Sequence, residues 1–84
     1  MLKITITTPD GLLFQGEADE VVVPTKSGMI GVRTNHLPLV SLLKPGQLEA
    51  KKDGGPSHKF QVREGYVKVG PQEVSVIARS ARKA

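Results

Sequence analysis

The chain has 84 residues, nine glycines, six prolines and no cysteine. This length is enough for one small domain, and the absence of cysteine excludes a disulfide framework or a cysteine-ligated zinc site. Hydrophobic residues make up 38% and charged residues 24% of the sequence, a balance that excludes a disordered chain. No apolar run approaches the length of a membrane span, and the first residues do not form a signal peptide. We therefore expect a soluble cytosolic protein with no segment inserted in a membrane.

The formal net charge is +4, and the positive charge is concentrated in the second half of the chain. Residues 43–84 carry nine basic and four acidic side chains, whereas residues 1–42 carry three and four. A basic half can bind nucleic acid or an anionic membrane surface. However, the basic residues are spread over alternating segments, and three aromatic residues are a poor supply for base stacking. This pattern favours solvated lysines on strand faces and leaves a small basic nucleic-acid-binding β-barrel as the alternative hypothesis.

Apolar and polar residues alternate with a period of two along most of the first half, which predicts half-buried β-strands. Leu2, Ile4 and Ile6 alternate with polar residues, and Val21–Val23 are β-branched residues in succession. Turn signals separate the strands, the clearest being Pro9-Asp10-Gly11. In chain order, this half predicts strands at residues 2–7, 12–16, 19–24 and 29–32.

The second half begins with a predicted loop at Arg33–Pro38, because a proline disfavours helix in the residue before it. Residues 39–43 are predicted to form a buried apolar strand, and residues 47–52 and 59–63 to form a hairpin around Asp53–Pro56. Strands at 67–69 and 74–78 complete a count of about nine. Residues 79–84 are too few to hold a helix in water. The residues therefore predict an all-β fold, as two packed sheets or a flattened barrel.

No pattern of residues indicates a catalytic, metal or cofactor site. His36 and His58 are the only histidines, and neither lies in a nucleophile motif. We expect His58 to be solvated in a hairpin loop and His36 to be a hydrogen-bonded loop histidine. Gly28–Gly31 lacks the lysine and the following helix of a phosphate-binding loop, and Asp19 and Glu20 point to opposite faces of a strand. The residues alone therefore predict a binding or structural module.

Several segments carry a family resemblance through their order and spacing. They are Thr8–Gly11 with Phe14–Ala18, Val21–Pro38, Leu43–Gly46, Lys52–Gly55 and Val74–Ala78. The most specific part is Gly28-x-Ile30-Gly31-Val32-x-x-Asn35-His36-x-Pro38-Leu39. From Leu2 to about Ala81, the chain resembles the N-terminal β-sandwich of the epsilon subunit of F-type ATP synthases, which is called delta in mitochondria.

The resemblance implies a flattened ten-stranded sandwich of two mainly antiparallel sheets. It also implies a non-catalytic rotor subunit of the central stalk, which couples the gamma subunit to the membrane c-ring in a proton-translocating ATP synthase, with no cofactor and no small-molecule substrate. One face of the sandwich would pack on gamma, and the loops at one end would rest on the c-ring. The implied location is the cytoplasmic face of an energy-transducing membrane, the bacterial inner membrane, as a peripheral part of the complex.

Carried over by position, the resemblance implies two sets of contact residues. The c-ring contacts are Lys26, Ser27, Gly28, Met29, Ile30 and Gly31, with His36 close to them. The gamma contacts are Thr8, Leu37 and Ser41. Family members often have a polar or acidic residue in place of Met29, so we do not expect a specific polar contact at that position. They usually have proline in place of Thr34 and alanine in place of Leu37. We therefore expect the loop of this chain to be less stiff than is typical of the family.

Most family members continue into a C-terminal helical hairpin that can inhibit ATP hydrolysis and, in some bacteria, bind ATP. This sequence ends at Ala84, just after the last predicted strand. We therefore expect one β-sandwich domain at residues 1–81 and a short basic tail at residues 82–84, with neither a helical arm nor an ATP site.

Overall fold

The computed structural model describes all residues, 1–84, and its secondary structure consists of ten β-strands. It contains no helix that is long and apolar enough to cross a membrane. The strands are β1 (Leu2–Thr8), β2 (Gly11–Ala18), β3 (Glu20–Thr25), β4 (Gly28–Val32), β5 (Leu39–Leu42), β6 (Gly46–Lys51), β7 (His58–Val62), β8 (Gly65–Val69), β9 (Glu73–Ala78) and β10 (Ala81–Lys83). The number agrees with the family resemblance and exceeds by one the number that the residue pattern predicts.

The strands form two five-stranded sheets that share one hydrophobic core. The first sheet has the strand order β2-β1-β9-β8-β5, and the second has the order β10-β7-β6-β3-β4. Neighbouring strands are antiparallel, except that β1 and β9 run parallel. The predicted all-β fold of two mainly antiparallel sheets is therefore confirmed.

The core between the two sheets is almost entirely aliphatic. It contains 17 buried residues, of which Phe60 is the only aromatic one. Leu2, Ile4 and Ile6 of β1 are fully buried, as their alternation predicts. Because burying one such side chain contributes about 1.5–3 kcal/mol, the alternating strands provide the main driving force for folding.

The connections between strands lie at two ends of the sandwich. The Pro9 end carries residues 9–10, 26–27, 43–45, 63–64 and 79–80, and the His36 end carries residues 19, 33–38, 52–57 and 70–72. Backbone hydrogen bonds join the connections at the Pro9 end: Lys26 N donates to Leu42 O at 3.0 Å, and Leu43 N donates to Gly65 O at 2.9 Å. These bonds hold the loops of the two sheets in fixed positions relative to each other.

The last residues form a strand that the residue pattern does not predict. Strand β10 pairs antiparallel with β7 and places Ala81 opposite Val62 and Lys83 opposite Phe60. Three residues, two of them basic, carry no readable alternation, so this strand depends on pairing with β7 rather than on its own propensity. The expected boundary between a domain at residues 1–81 and a basic tail at residues 82–84 falls inside β10.

The prediction that residues 39–43 form a buried strand is wrong except at its last residue. Leu43 is buried, but Val40 is 66% exposed and Leu42 is 57% exposed. Strand β5 is an edge strand that pairs only with β8, and it turns Val40 and Leu42 to the outer face of the first sheet, opposite Lys68 and Tyr66. An apolar composition therefore does not distinguish this exposed edge strand from a buried one.

The prediction that His58 is solvated in a loop is also wrong. His58 is the first residue of β7 and lies opposite Ala50 in the hairpin with β6. Its ring centroid is 5.0 Å from that of Phe14, which is 4.9 Å from that of Phe60. The predicted hairpin around Asp53–Pro56 does form, so His58 belongs to its strand and packs against an aromatic ring.

Candidate interaction surfaces

The outer face of the first sheet presents a continuous row of apolar side chains. In register across the five strands, the residues that form it are Leu12, Thr7, Ile77, Tyr66 and Leu42. Leu12 is 58% exposed, Leu42 is 57% exposed and Tyr66 is 43% exposed. The apolar row is defined as Leu12, Ile77, Tyr66 and Leu42. Exposed apolar side chains that are contiguous on one face, with an aromatic residue among them, are typical of a surface that binds another protein.

A shallow depression borders the apolar row at the Pro9 end. The residues that line it include Thr8, Pro9, Gly65, Tyr66 and Ile77. The Thr8 hydroxyl closes the turn between β1 and β2, since it accepts a hydrogen bond from Asp10 N at 3.2 Å and lies 3.4 Å from Gly11 O, to which it donates. Thr8, one of the predicted gamma contacts, therefore lies in a fixed turn at the border of the apolar row.

The outer face of the second sheet is largely polar, and some of its opposite charges face each other across strands. Glu49 lies opposite Lys59, and Glu20 lies opposite Lys51. Glu20 also lies 3.9 Å from Arg33. Opposite charges that face each other across strands stabilise a hydrated sheet surface. The two outer faces thus differ in kind, and the apolar one is the better candidate for a protein contact.

The predicted c-ring loop, Lys26–Gly31, consists of the turn between β3 and β4 and most of β4. Thr25, which is 1% exposed, holds the turn: its hydroxyl donates to Gly28 O at 2.7 Å and accepts from Ser27 N at 3.2 Å. Gly28 adopts a φ of 116°, a conformation that favours glycine. Beyond the turn, Met29 is 61% exposed. The turn is therefore well fixed and projects an apolar side chain beside it.

His36 lies at the other end of β4 from the turn at Lys26–Ser27, whereas Gly31, near the end of β4, is only five residues from it in the chain. His36 belongs to the connection between β4 and β5, at the end of the sandwich opposite Lys26 and Ser27. The five residues of β4 separate the two connections, a length of about 17 Å at 3.3 Å per residue. As predicted, His36 is a hydrogen-bonded loop histidine, with Nδ1 2.8 Å from Leu37 O.

The predicted gamma contacts are not brought together either. Thr8 lies at the Pro9 end, and Leu37, which is 80% exposed, lies at the His36 end. Ser41 is half-buried in β5, opposite the buried Val67. The residue pattern does not predict the apolar row, although Tyr66 and the apolar composition of residues 39–43 indicate parts of it. Its members come from four different strands, so the row exists only once the register of the first sheet is known.

The side chains that could carry chemistry are dispersed. No group of three or more His, Cys, Asp or Glu residues lies together in an arrangement that could hold a metal ion. The two histidines have separate surroundings, since His36 contacts a backbone carbonyl and His58 packs on Phe14. What the geometry offers is a set of surfaces for contact.

Comparison with known proteins gives one consistent family. A family model described as the β-sandwich domain of the ATP synthase delta/epsilon chain matches residues 1–84. A protein named ATP synthase epsilon chain from Parvibaculum lavamentivorans is 36% identical over 77 residues, which cover 92% of this chain and 58% of the relative. One of the same name from Macrococcus caseolyticus is 38% identical over 84 residues, which cover 99% of this chain and 62% of the relative. The chain thus spans about three fifths of the length of these curated relatives.

Solved structures agree with this comparison. A chain in a structure of the Euglena gracilis mitochondrial ATP synthase, comprising OSCP, F1 and the c-ring, matches with a TM-score of 0.88 and 25% identity, covering 98% of this chain and 52% of that one. A chain in the central stalk and c-ring of the Tetrahymena thermophila enzyme matches with a TM-score of 0.77 over 96% of this chain and 65% of that one. Its 17% identity supports the fold alone. With a family match over every residue, the chain belongs to the ATP synthase delta/epsilon family, as its β-sandwich domain.

Proposed function

We propose that this β-sandwich is a non-catalytic rotor module in the central stalk of a proton-translocating F-type ATP synthase, where it couples the gamma subunit to the c-ring during ATP synthesis. Two findings support the role: the family match over the whole chain, and the likeness to a Euglena chain in a structure that includes a c-ring. The observation that carries the proposal is the apolar row, a contiguous exposed surface on a domain that already has a core of its own.

In this proposal the gamma subunit packs on the apolar row. Covering exposed Leu12, Tyr66 and Leu42 removes apolar surface from water, which is the main favourable term in association. Covering the outer face of the second sheet would instead remove hydration from charged side chains, at a cost that can exceed the attraction between opposite charges. Thr8 lies at the border of this contact, whereas Leu37 lies at the far end of the sandwich. Of the predicted gamma contacts, Thr8 is thus the one that the geometry supports.

The Pro9 end would then face the c-ring through the turn at Lys26–Ser27 and the neighbouring Met29. A contact that transmits torque needs a surface that does not yield, and the hydrogen bonds of the Thr25 hydroxyl hold this turn. Backbone hydrogen bonds between the connections extend that rigidity across the whole end. In this orientation His36 lies at the other end and does not contact the ring. The module would be peripheral, on the cytoplasmic face of an energy-transducing membrane, the bacterial inner membrane.

A binding measurement with the gamma subunit tests the proposal. Tyr66→Glu places a charge in the middle of the apolar row, and we expect the dissociation constant for gamma to rise by at least about tenfold, as for a central interface residue. The matched control is Gln61→Glu, which adds the same charge to the outer face of the second sheet and should change the dissociation constant by less than about twofold. Absence of a complex at micromolar concentration, or an equal effect of both substitutions, would contradict the proposal.

The nucleic-acid alternative has less support from the geometry. Single-strand binders stack bases on exposed aromatic rings, but Phe60 is buried and Phe14 packs between His58 and Phe60. Tyr66 is then the one aromatic side chain with a largely accessible ring, at 43% exposure. Salt-sensitive binding of a single-stranded oligonucleotide that is lost in Tyr66→Ala would favour this alternative over the stalk role.

A further inference from the structure

A polar depression lies at the Pro9 end, on the side of the second sheet, away from the apolar row. The residues that line it are Pro45, Gln61, Arg63, Ser80 and Arg82. Two of the five side chains are guanidinium groups, two others are neutral hydrogen-bonding groups, and none is acidic. The depression is therefore lined by two residues with positively charged side chains and two with neutral hydrogen-bonding side chains.

The backbone places both arginines close to Ser80. Arg63 follows β7, and its N–H donates to Ser80 O at 2.9 Å, which joins the β7–β8 connection to the β9–β10 connection. Arg82 lies in β10, directly opposite Gln61 of β7. The closeness of the two arginines thus follows from the pairing of β10 with β7.

Neither arginine is neutralised by a carboxylate. The closest candidate is Glu64, which follows Arg63 in the chain and lines a neighbouring depression with it, but the carboxylate of Glu64 is 3.9 Å from Arg79. The remaining ion pair of the molecule joins Arg33 to Glu20. Arg63 and Arg82 therefore have no acidic partner within 4.0 Å, and each has all its donors available to a ligand.

We propose that this depression binds a phosphate group. Guanidinium groups match phosphate oxygens in a bidentate geometry. A free phosphate ion carries up to two negative charges and can balance both arginines, whereas the phosphodiester of a lipid headgroup carries one charge and offers two unesterified oxygens to the two guanidinium groups. The Ser80 hydroxyl and the Gln61 amide add neutral donors at the same place. The phosphate belongs either to a free phosphate ion or to the headgroup of an anionic lipid. This inference does not depend on the proposed stalk role.

Both arginines are exposed to solvent, which sets the expected strength of binding. Attraction between exposed charges is screened by salt over a distance of about 8–10 Å, so binding should weaken as the ionic strength rises. Exposure also leaves the site open to a phosphate on a large surface such as a membrane. A selective effect of these two arginines is what distinguishes a site from the general attraction of a basic protein for anions.

Two titrations of the intact chain test the proposal and identify the source of the phosphate. In the first, inorganic phosphate is added at constant ionic strength while backbone amide signals are followed by NMR. In the second, flotation is compared for vesicles of phosphatidylcholine alone and for vesicles that also contain phosphatidylglycerol. The test variant is Arg63→Gln with Arg82→Gln. The matched control is Lys52→Gln with Lys68→Gln, which removes the same charge from exposed lysines elsewhere.

We expect the arginine variant to bind at least about tenfold more weakly, as for the loss of hydrogen bonds to a charged group, and the lysine variant to change binding by less than about twofold. Saturable shifts at Arg63, Ser80 and Arg82 with phosphate alone would identify free phosphate, and arginine-dependent flotation without them would identify the lipid headgroup. The proposal would be overturned if the arginine variant and the lysine variant bound phosphate or vesicles equally weakly. Equal weakening of binding to a single-stranded oligonucleotide in the two variants would overturn it too, as would absence of binding in both titrations.

Discussion

At the scale of single residues, Gly65 is the position where the backbone permits least change. It has a φ of 155° at the start of β8, and a Cβ built on it would lie 2.0 Å from Ile77 O. That oxygen belongs to the backbone of β9, the neighbouring strand, so it cannot move aside without disturbing the sheet. We expect Gly65→Ala to lower the free energy of unfolding by about 3 kcal/mol or more, measured by denaturation in urea.

A second glycine separates the two causes of that loss. Gly54 also has a positive φ, 71°, but a Cβ there would meet no atom within 4 Å. Gly54→Ala should therefore cost only the backbone strain, about 1 kcal/mol. Equal losses in the two variants would show that the conformation of Gly65, and not its contact with β9, limits the substitution.

At the scale of the strands, the last residue of β5 is exposed, whereas the residue that follows it is buried. Leu42 is 57% exposed on the apolar row, and Leu43 is 1% exposed in the core. We expect Leu43→Ala to lower the free energy of unfolding by about 2–4 kcal/mol, because it leaves a cavity, and Leu42→Ala to change it by about 0.5 kcal/mol or less. Urea denaturation of the isolated chain measures both. A comparable loss in Leu42→Ala would mean that the apolar row is internal packing and not a free surface.

The interior strands and the edge strands β2 and β4 could be predicted from the residues, whereas the burial of edge strand β5 and the existence of edge strand β10 could not. In β1, alternation identifies both the strand and its buried face, and the hairpin of β6 and β7 follows from alternation around Asp53–Pro56. The burial of β5 and the existence of β10 depend on what lies beside them, since each has a neighbour on one side only. The residues of a strand indicate whether it favours the β conformation, but they do not show whether the strand lies inside a sheet or at its edge.

The candidate surfaces could also be predicted only in part, because they depend on the order of the strands in each sheet. The family resemblance points to residues 26–31, and the hydrogen bonds of the Thr25 hydroxyl show that residues 26–27 form a fixed turn. The resemblance does not show that this turn precedes β4 while His36 follows it, which places the two at opposite ends of that strand. Leu12 and Leu42 are far apart in the chain and meet in one row only through β1, β9 and β8.

At the scale of the whole molecule, the separation of its two ends decides which residues one rotor surface can reach. The sandwich measures 29 × 25 × 20 Å, and the turn at Lys26–Ser27 and His36 lie at opposite ends of β4, so a ring that rests on the Pro9 end alone touches the turn and not His36. In an ATP synthase assembled with this chain, we expect Met29→Lys to reduce proton-driven ATP synthesis several-fold, because a buried charge weakens an apolar contact. Hydrolysis by the detached catalytic head should be unchanged. His36→Lys, which adds a charge at the opposite end of β4, should leave both activities near their original values. Loss of synthesis in His36→Lys alone would reverse the proposed orientation of the sandwich, and equal loss of synthesis and hydrolysis in Met29→Lys would remove Met29 from the ring contact.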